Sequence, residues 1–290
     1  MKTGREHIYI DCGDWAEEAE SRACIFSYPR IGDAEWESFY DAQELWHAGY
    51  DEEAEAGFRQ LVAEFPEFID AWHHLAMLLD ETGRAEEAFQ IWERTVKMGL
   101  DLIPESFRRG TDLLMWGHTN NRPFLRAYHG YALALQDRGR LEEALGIFEH
   151  LLELNPNDNQ GVRALASDAY FAFDRPEAVL ELCERYPDDA MEHIVYGRPL
   201  ALLKLGRAEE AEQALDEAID FYPLIAEELL KTRHPKPAQL RLGKVTLGGR
   251  DQAYYYYKDQ GTYWKHTPIA MDLLARCVEK AGGADGAPQA

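Results

Sequence analysis

The chain is poor in positive charge, in cysteine and in long apolar runs. Its 290 residues hold 30 lysines and arginines against 53 aspartates and glutamates, a net charge of −23. A surface this acidic repels phosphate backbones, so no nucleic-acid partner is expected. No run reaches the roughly 18 to 20 apolar residues of a membrane span, so no membrane partner is expected either. The first fourteen residues carry one short apolar patch, Ile8–Ile10, which is not a secretory signal. The four cysteines, Cys12, Cys24, Cys183 and Cys277, form no CxxC pair. Zinc sites of the common kinds need closely paired ligands, so neither a metal nor another cofactor is expected. Without an export signal the thiols read as reduced, mostly buried residues of a cytoplasmic protein, with a Cys12–Cys24 bridge left open. HExxH, a glycine-rich phosphate loop and a serine elbow are all missing, and His73 and His74 diverge by about 100° on a helix. An enzyme is not expected.

What is present is repetition. Gly49-Tyr50-Asp51-Glu52-Glu53-Ala54 aligns with Gly83–Ala88, Gly139–Ala144 and Gly206–Ala211, and Phe173–Ala178 is a degenerate copy lacking the glycine. The alanines stand at 54, 88, 144, 178 and 211, so the spacings are 34, 56, 34 and 33, and the 56 is one repeat plus an insertion of 22. Four residues after each alanine come Phe58, Trp92, Phe148, Leu182 and Leu215; twelve after come Pro66, Pro156 and Pro223 in three of the five copies. Glycine permits the positive φ that ends a first helix, and an acidic pair opens the second at its positive dipole end. A small alanine lets the two helices approach, the large residue one turn on fills their groove, and proline marks the exit.

This pattern resembles the tetratricopeptide repeat, over about Glu35 to Pro223. The resemblance implies an all-α, right-handed solenoid of about five helix pairs. First helices are expected near Glu35–Ala48, Asp70–Thr82, Pro123–Arg138, Asn159–Phe173 and Met191–Leu205. Second helices are expected near Asp51–Glu64, Ala85–Lys97, Leu141–Glu153, Pro176–Arg185 and Ala208–Phe221. The insertion, about 99–121, contains Phe107, Leu113, Leu114, Met115 and Trp116 and reads as a short extra helix packed on the solenoid. Residues 1–34 form an N-terminal extension and 224–290 a helical cap and tail. That cap follows the basic, proline-broken Lys231–Pro237 and carries helices near Arg250–Tyr263 and Thr267–Lys280. Leu240, Leu242, Val245 and Leu247 suit short strands or an extended wrap. The Tyr254–Tyr257 run and Leu154–Gln160 are also similar to parts of uncharacterised bacterial repeat proteins.

The function this implies is a protein-interaction scaffold that holds a peptide or protein in a concave groove lined by first helices. With the repeat alanine as position 20, groove sites fall at positions 2, 5, 9 and 12. They read Asp70, His73, Met77 and Asp80 in the second repeat, and Arg126, His129, Leu133 and Gln136 in the third. The fourth gives Gln160, Arg163, Ser167 and Tyr170, the fifth His193, Tyr196 and Leu200, and the first Phe39, Gln43 and Trp46. His73, Arg126, His129, Arg163, Tyr170 and Tyr196 are the expected contacts. Guanidinium groups favour a ligand of acidic character. Two rivals are a hydrolase or transferase pocket near the insertion, built on Asp112, His118 and Arg122, and an acidic decoy that occupies a basic partner.

Overall fold

The computed structural model describes residues 7–13, 20–238 and 244–284. The chain divides into two compact units, Met1–Val162 and Arg163–Ala290. In the first, β1 (Tyr9–Cys12) and β2 (Arg22–Ser27) pair antiparallel, and β3 (Asp112–Leu113) adds in parallel to β2. Three helix pairs follow: α1 (Asp33–His47) with α2 (Asp51–Glu64), α3 (Ile69–Glu81) with α4 (Ala85–Asp101), and α5 (Arg122–Asp137) with α6 (Leu141–Leu154). The second unit holds α7 (Val162–Ala172), α8 (Pro176–Arg185), α9 (Glu192–Val195), α10 (Gly197–Lys204), α11 (Ala208–Phe221), α12 (Pro223–Leu230), α13 (Arg250–His266) and α14 (Ala270–Ala284). The fold class is the all-α helix-pair repeat of the tetratricopeptide kind.

The repeat logic is visible in the core. Ala54, Ala88, Ala144 and Ala211 are wholly buried, and Phe58, Trp92, Phe148 and Leu215 lie beside them in the interior. Gly49, Gly83, Gly139 and Gly206 take positive φ, and each second helix starts two residues later. The fourth repeat departs from this by one residue. There the positive φ belongs to Asp174, α8 starts two residues after it at Pro176, and Val179 is fully buried while Ala178 is only half-buried. A non-glycine residue carries the left-handed turn because aspartate tolerates it better than most. The alignment of Ala178 with the other alanines is therefore corrected to Val179.

Four further expectations change. The insertion forms β3 and a short 3₁₀ turn, Thr119–Asn121, and not an extra helix. Side-chain amides hold it: Asn121 accepts the Phe26 N–H at 2.9 Å and donates to the carbonyls of Cys24 and Met115, while Asn155 accepts the Trp116 N–H at 3.0 Å. These bonds offer the backbone an alternative to a helical ladder. Second, the expected helix Met191–Leu205 is broken at Tyr196 into α9 and α10, because Pro199 has no N–H to continue it. Third, α12 occupies Pro223–Leu230, ahead of the expected boundary at Lys231–Pro237, where no helix was expected. Fourth, Cys12 and Cys24 are joined by a disulfide across the β1–β2 pair, while Cys183 and Cys277 are free and buried. Leu240 and Leu242 lie outside the described residues, and Val245 and Leu247 are exposed. No helix among the described residues is long and apolar enough to cross a membrane.

Candidate functional site

In the first unit the structure brings together the groove positions of the second and third repeats. His73, Met77 and Asp80 of α3 face Arg126, His129 and Leu133 of α5 across a cleft of about 320 Å³. The floor is made possible by a glycine. A Cβ at Gly130 would stand 3.0 Å from Trp92 Nε1 and 3.3 Å from His73 Cε1, so a larger residue would press that indole and imidazole back by a few tenths of an ångström. Trp92 donates its indole N–H to His73 Nδ1 at 3.1 Å, which makes that nitrogen the acceptor and leaves the proton on Nε2. Burial, helped by the charge of neighbouring His74, pushes His73 down to about 3, so it is a neutral hydrogen-bonding group.

One end of the cleft is basic. Arg126 Nη2 donates to Asp70 Oδ2 at 2.5 Å, and Asp70 is only 2% exposed. Burial alone would raise Asp70, but the hydrogen bonds and charges of His74 and Arg126 hold its carboxyl below the ordinary value. That pairing uses part of the guanidinium. Arg126 Nε is buried and has no hydrogen-bond partner among the described residues, and neither has His129 Nε2. Gln160 lies 3.4 Å from the other His129 nitrogen, Nδ1. The opposite end is acidic, with Asp80, Glu81 and Asp137 on the rim, and Met77 and Leu133 form the apolar middle. The eleven steps of α5 from Arg126 to Asp137 rise ~16 Å, the span of about five extended residues.

The second unit treats its expected site residues differently. Arg163 is taken up by Asp189, with Nη2 3.0 Å from Oδ1, and its guanidinium lies over the Tyr186 ring. Tyr170 is 8% exposed and carries Arg175 over its ring. The one-residue slip explains both placements: numbered from Val179, groove positions of the fourth repeat become Gly161, Ala164, Asp168 and Phe171. Tyr196 is wholly buried and donates its hydroxyl to the Tyr222 carbonyl at 2.8 Å. What covers it is the chain itself. Tyr256 and Trp264 of α13 pack on Tyr196, Tyr263 stacks on Phe171, and Gln252 and Gln260 bond Glu192 and Asp168. Arg163, Tyr170 and Tyr196 are thus structural here, and none of them lines an open groove.

The sequence reading has this helix as a cap on the last repeat and misses that it covers the groove face, although Tyr256, Tyr263 and Trp264, spaced by seven and eight residues on one side of a helix, carried the signal. Two of the three residues of the rival set near the insertion are engaged in structural contacts. Asp112 is buried against Arg22 and accepts the Arg108 N–H, while Arg122 donates to the Trp116 carbonyl and lies over its ring. A larger cleft of about 700 Å³ lies among α8, α10 and α11, but its arginines, Arg198 and Arg207, are matched by Glu217 and Glu210.

Comparison with known proteins places the molecule. A family model described as transcriptional repressor TCF25 matches residues 43–252. The chain belongs to the TCF25 family. The matched stretch runs from α1 into α13 and takes in the whole cleft of the first unit. No curated protein matches the sequence. Among solved structures, a tetratricopeptide repeat protein from Parabacteroides merdae is similar at 14% identity, over 87% of this chain and 88% of that one, with TM-score 0.48. YrrB, a TPR protein with an unusual peptide-binding site, is similar at 16% identity over 64% of this chain and 85% of that one, TM-score 0.45. The TPR2AB domain of yeast Sti1, solved in complex with pHSP90, is similar at 14% identity over 88% and 95%, TM-score 0.34.

Proposed function

We propose that this TCF25-family chain is a non-enzymatic scaffold that binds an extended peptide segment of a partner protein in the cleft between α3 and α5. The observation that carries the reading is the pair of buried, unpartnered donors, Arg126 Nε and His129 Nε2, at one end of an open apolar groove. Buried polar groups are normally paired, and a ligand carbonyl or carboxylate supplies the missing acceptor. The acidic rim at the other end sharpens the expected ligand. An acidic or carbonyl-rich end sits at Arg126, an apolar side chain between Met77 and Leu133, and a basic residue near Asp80 and Asp137. Residues 35–223 serve as the repeat scaffold, with 1–34 and 224–290 as flanking segments.

The repressor description attached to the family fits a recruiting role, because a chain of net charge −23 is suited to holding proteins and not phosphate backbones. Its setting is then the cytoplasm or, where it serves as a repressor, the nucleus. Display of random peptides against the folded chain tests the reading. The expected selection is a segment with acidic and basic ends about five residues apart, and binding that falls ten-fold or more in Leu133→Glu. Leu133 is 39% exposed, so that change leaves the fold intact. Selected peptides that bind Leu133→Glu and His129→Ala as well as the parent chain contradict the assignment.

A further inference from the structure

One cluster in the second unit has no part in the groove. Asp168 on α7, His193 on α9 and Asp259 on α13 bring an imidazole nitrogen and two carboxylate oxygens within 4.8 Å of one another. His193 Nε2 stands 3.6 Å from Asp168 Oδ1 and 3.9 Å from Asp259 Oδ2. Both separations are too long for hydrogen bonds, so the three groups surround a common point. On the other side of the ring, His193 Nδ1 is buried without a hydrogen-bond partner, 3.6 Å from Glu192 Oε1. Glu192 is itself held by Gln252, whose Nε2 donates to Oε2 at 2.8 Å. Gln260 donates to Asp168, and its own Oε1, in a residue 1% exposed, has no partner.

We propose that Asp168, His193 and Asp259 bind a divalent transition-metal ion through His193 Nε2 and one oxygen of each carboxylate. Zinc ligands at about 2.0–2.1 Å place donor atoms roughly 3.4 Å apart in a tetrahedron; the two imidazole–carboxylate separations, 3.6 and 3.9 Å, need to close by only a few tenths of an ångström, and the two carboxylate oxygens lie within 4.8 Å of each other. The surroundings match what such a site requires. Glu192 Oε1, 3.6 Å from His193 Nδ1, comes within reach of its N–H after a small movement of the ring, which would leave Nε2 free to coordinate, and Gln260 orients Asp168. A mixed imidazole and carboxylate set suits zinc or manganese; calcium and magnesium prefer oxygen alone. Because the ligands come from three helices, the ion would tie α13 to α7 and α9.

Titration of the full chain with zinc chloride, followed by calorimetry and thermal melting, tests the proposal. The expected result is one ion per chain, a higher melting temperature with zinc and none with magnesium, and at least ten-fold weaker binding in Asp259→Asn. The Asp259 side chain is 48% exposed, so this variant keeps its fold. Cobalt(II) supplies a second readout, since its visible d–d absorption reports nitrogen ligation and should change in His193→Gln. Zinc binding that is absent, or equally tight in both variants, overturns the proposal. Either result leaves the peptide cleft of the first unit unaffected.

Discussion

His73 shows how one buried side chain writes itself into the stability of the first unit. Its value near 3 lies well below the 6.5 of an exposed imidazole, so below 6.5 the unfolded chain binds a proton that the folded chain refuses. The stability this involves is fully present above pH 6.5 and drains away as the pH falls from 6.5 toward 3. In urea melts at pH 7 and pH 4.5, His73→Gln should lose about 2 kcal/mol less than the parent chain across that interval. Equal losses would mean the imidazole is not held neutral. The repeat alanines give a second residue-level contrast. Ala144→Leu overpacks a closed contact and should cost on the order of 1–3 kcal/mol, whereas Ala178→Leu, at a half-buried position, should cost well under that. Similar losses at both sites would count against the slipped register of the fourth repeat.

Among the elements, the helix pairs were the most legible part of the sequence. Three of the second helices, α2, α8 and α11, begin and end where the sequence reading puts them. In α2 and α11 that is because glycine, an acidic pair and a proline specify the turn and the exit chemically, while α8 opens on Pro176. What was hidden has a common cause: short or long-range structure. Strands β1 and β2 are four and six residues long and owe their pairing to a partner across a loop and a bridge. The slip at Asp174 was masked because Ala178 happens to stand at the consensus spacing, though Phe173 in place of glycine was the visible clue. The groove positions of repeats two and three followed from phase alone; the covering of repeats four and five depended on α13, some 60 residues downstream. The Cys12–Cys24 bridge is the part to test chemically. Alkylation of the native, unreduced chain in denaturant should label two cysteines, Cys183 and Cys277, and four after reduction. Closing a loop of this size is worth roughly 3 kcal/mol, so Cys24→Ser should melt the strand pair first. Four labelled thiols before reduction would show that the bridge does not form.

For the molecule as a whole, charge and cover go together. The last 60 residues carry 10 basic and 5 acidic side chains in a chain otherwise strongly acidic, and Lys280 bonds Asp216 on α11. Removing everything after Lys231 strips Tyr256 and Trp264, both fully buried, from Tyr196. Burial of two such rings is worth several kcal/mol, so the truncated chain should aggregate or melt at least ~10 °C lower. A truncated chain that stays monomeric with an unchanged melt would show that α13 and α14 are dispensable.

The single extra step in the fourth turn makes that repeat non-interchangeable. Grafting a consensus repeat there, with glycine restored at 173 and one residue removed, would put the downstream chain back in phase and rotate α7 by ~100° relative to its present setting. Asp168 and Phe171 would swing off α13, and Arg163 and Tyr170 would come round in their place. A repeat module that looks like the weakest copy in the array is, in this sense, keyed to one particular helix of its own chain, and a shuffled or regularised array would lose the lock that fits it.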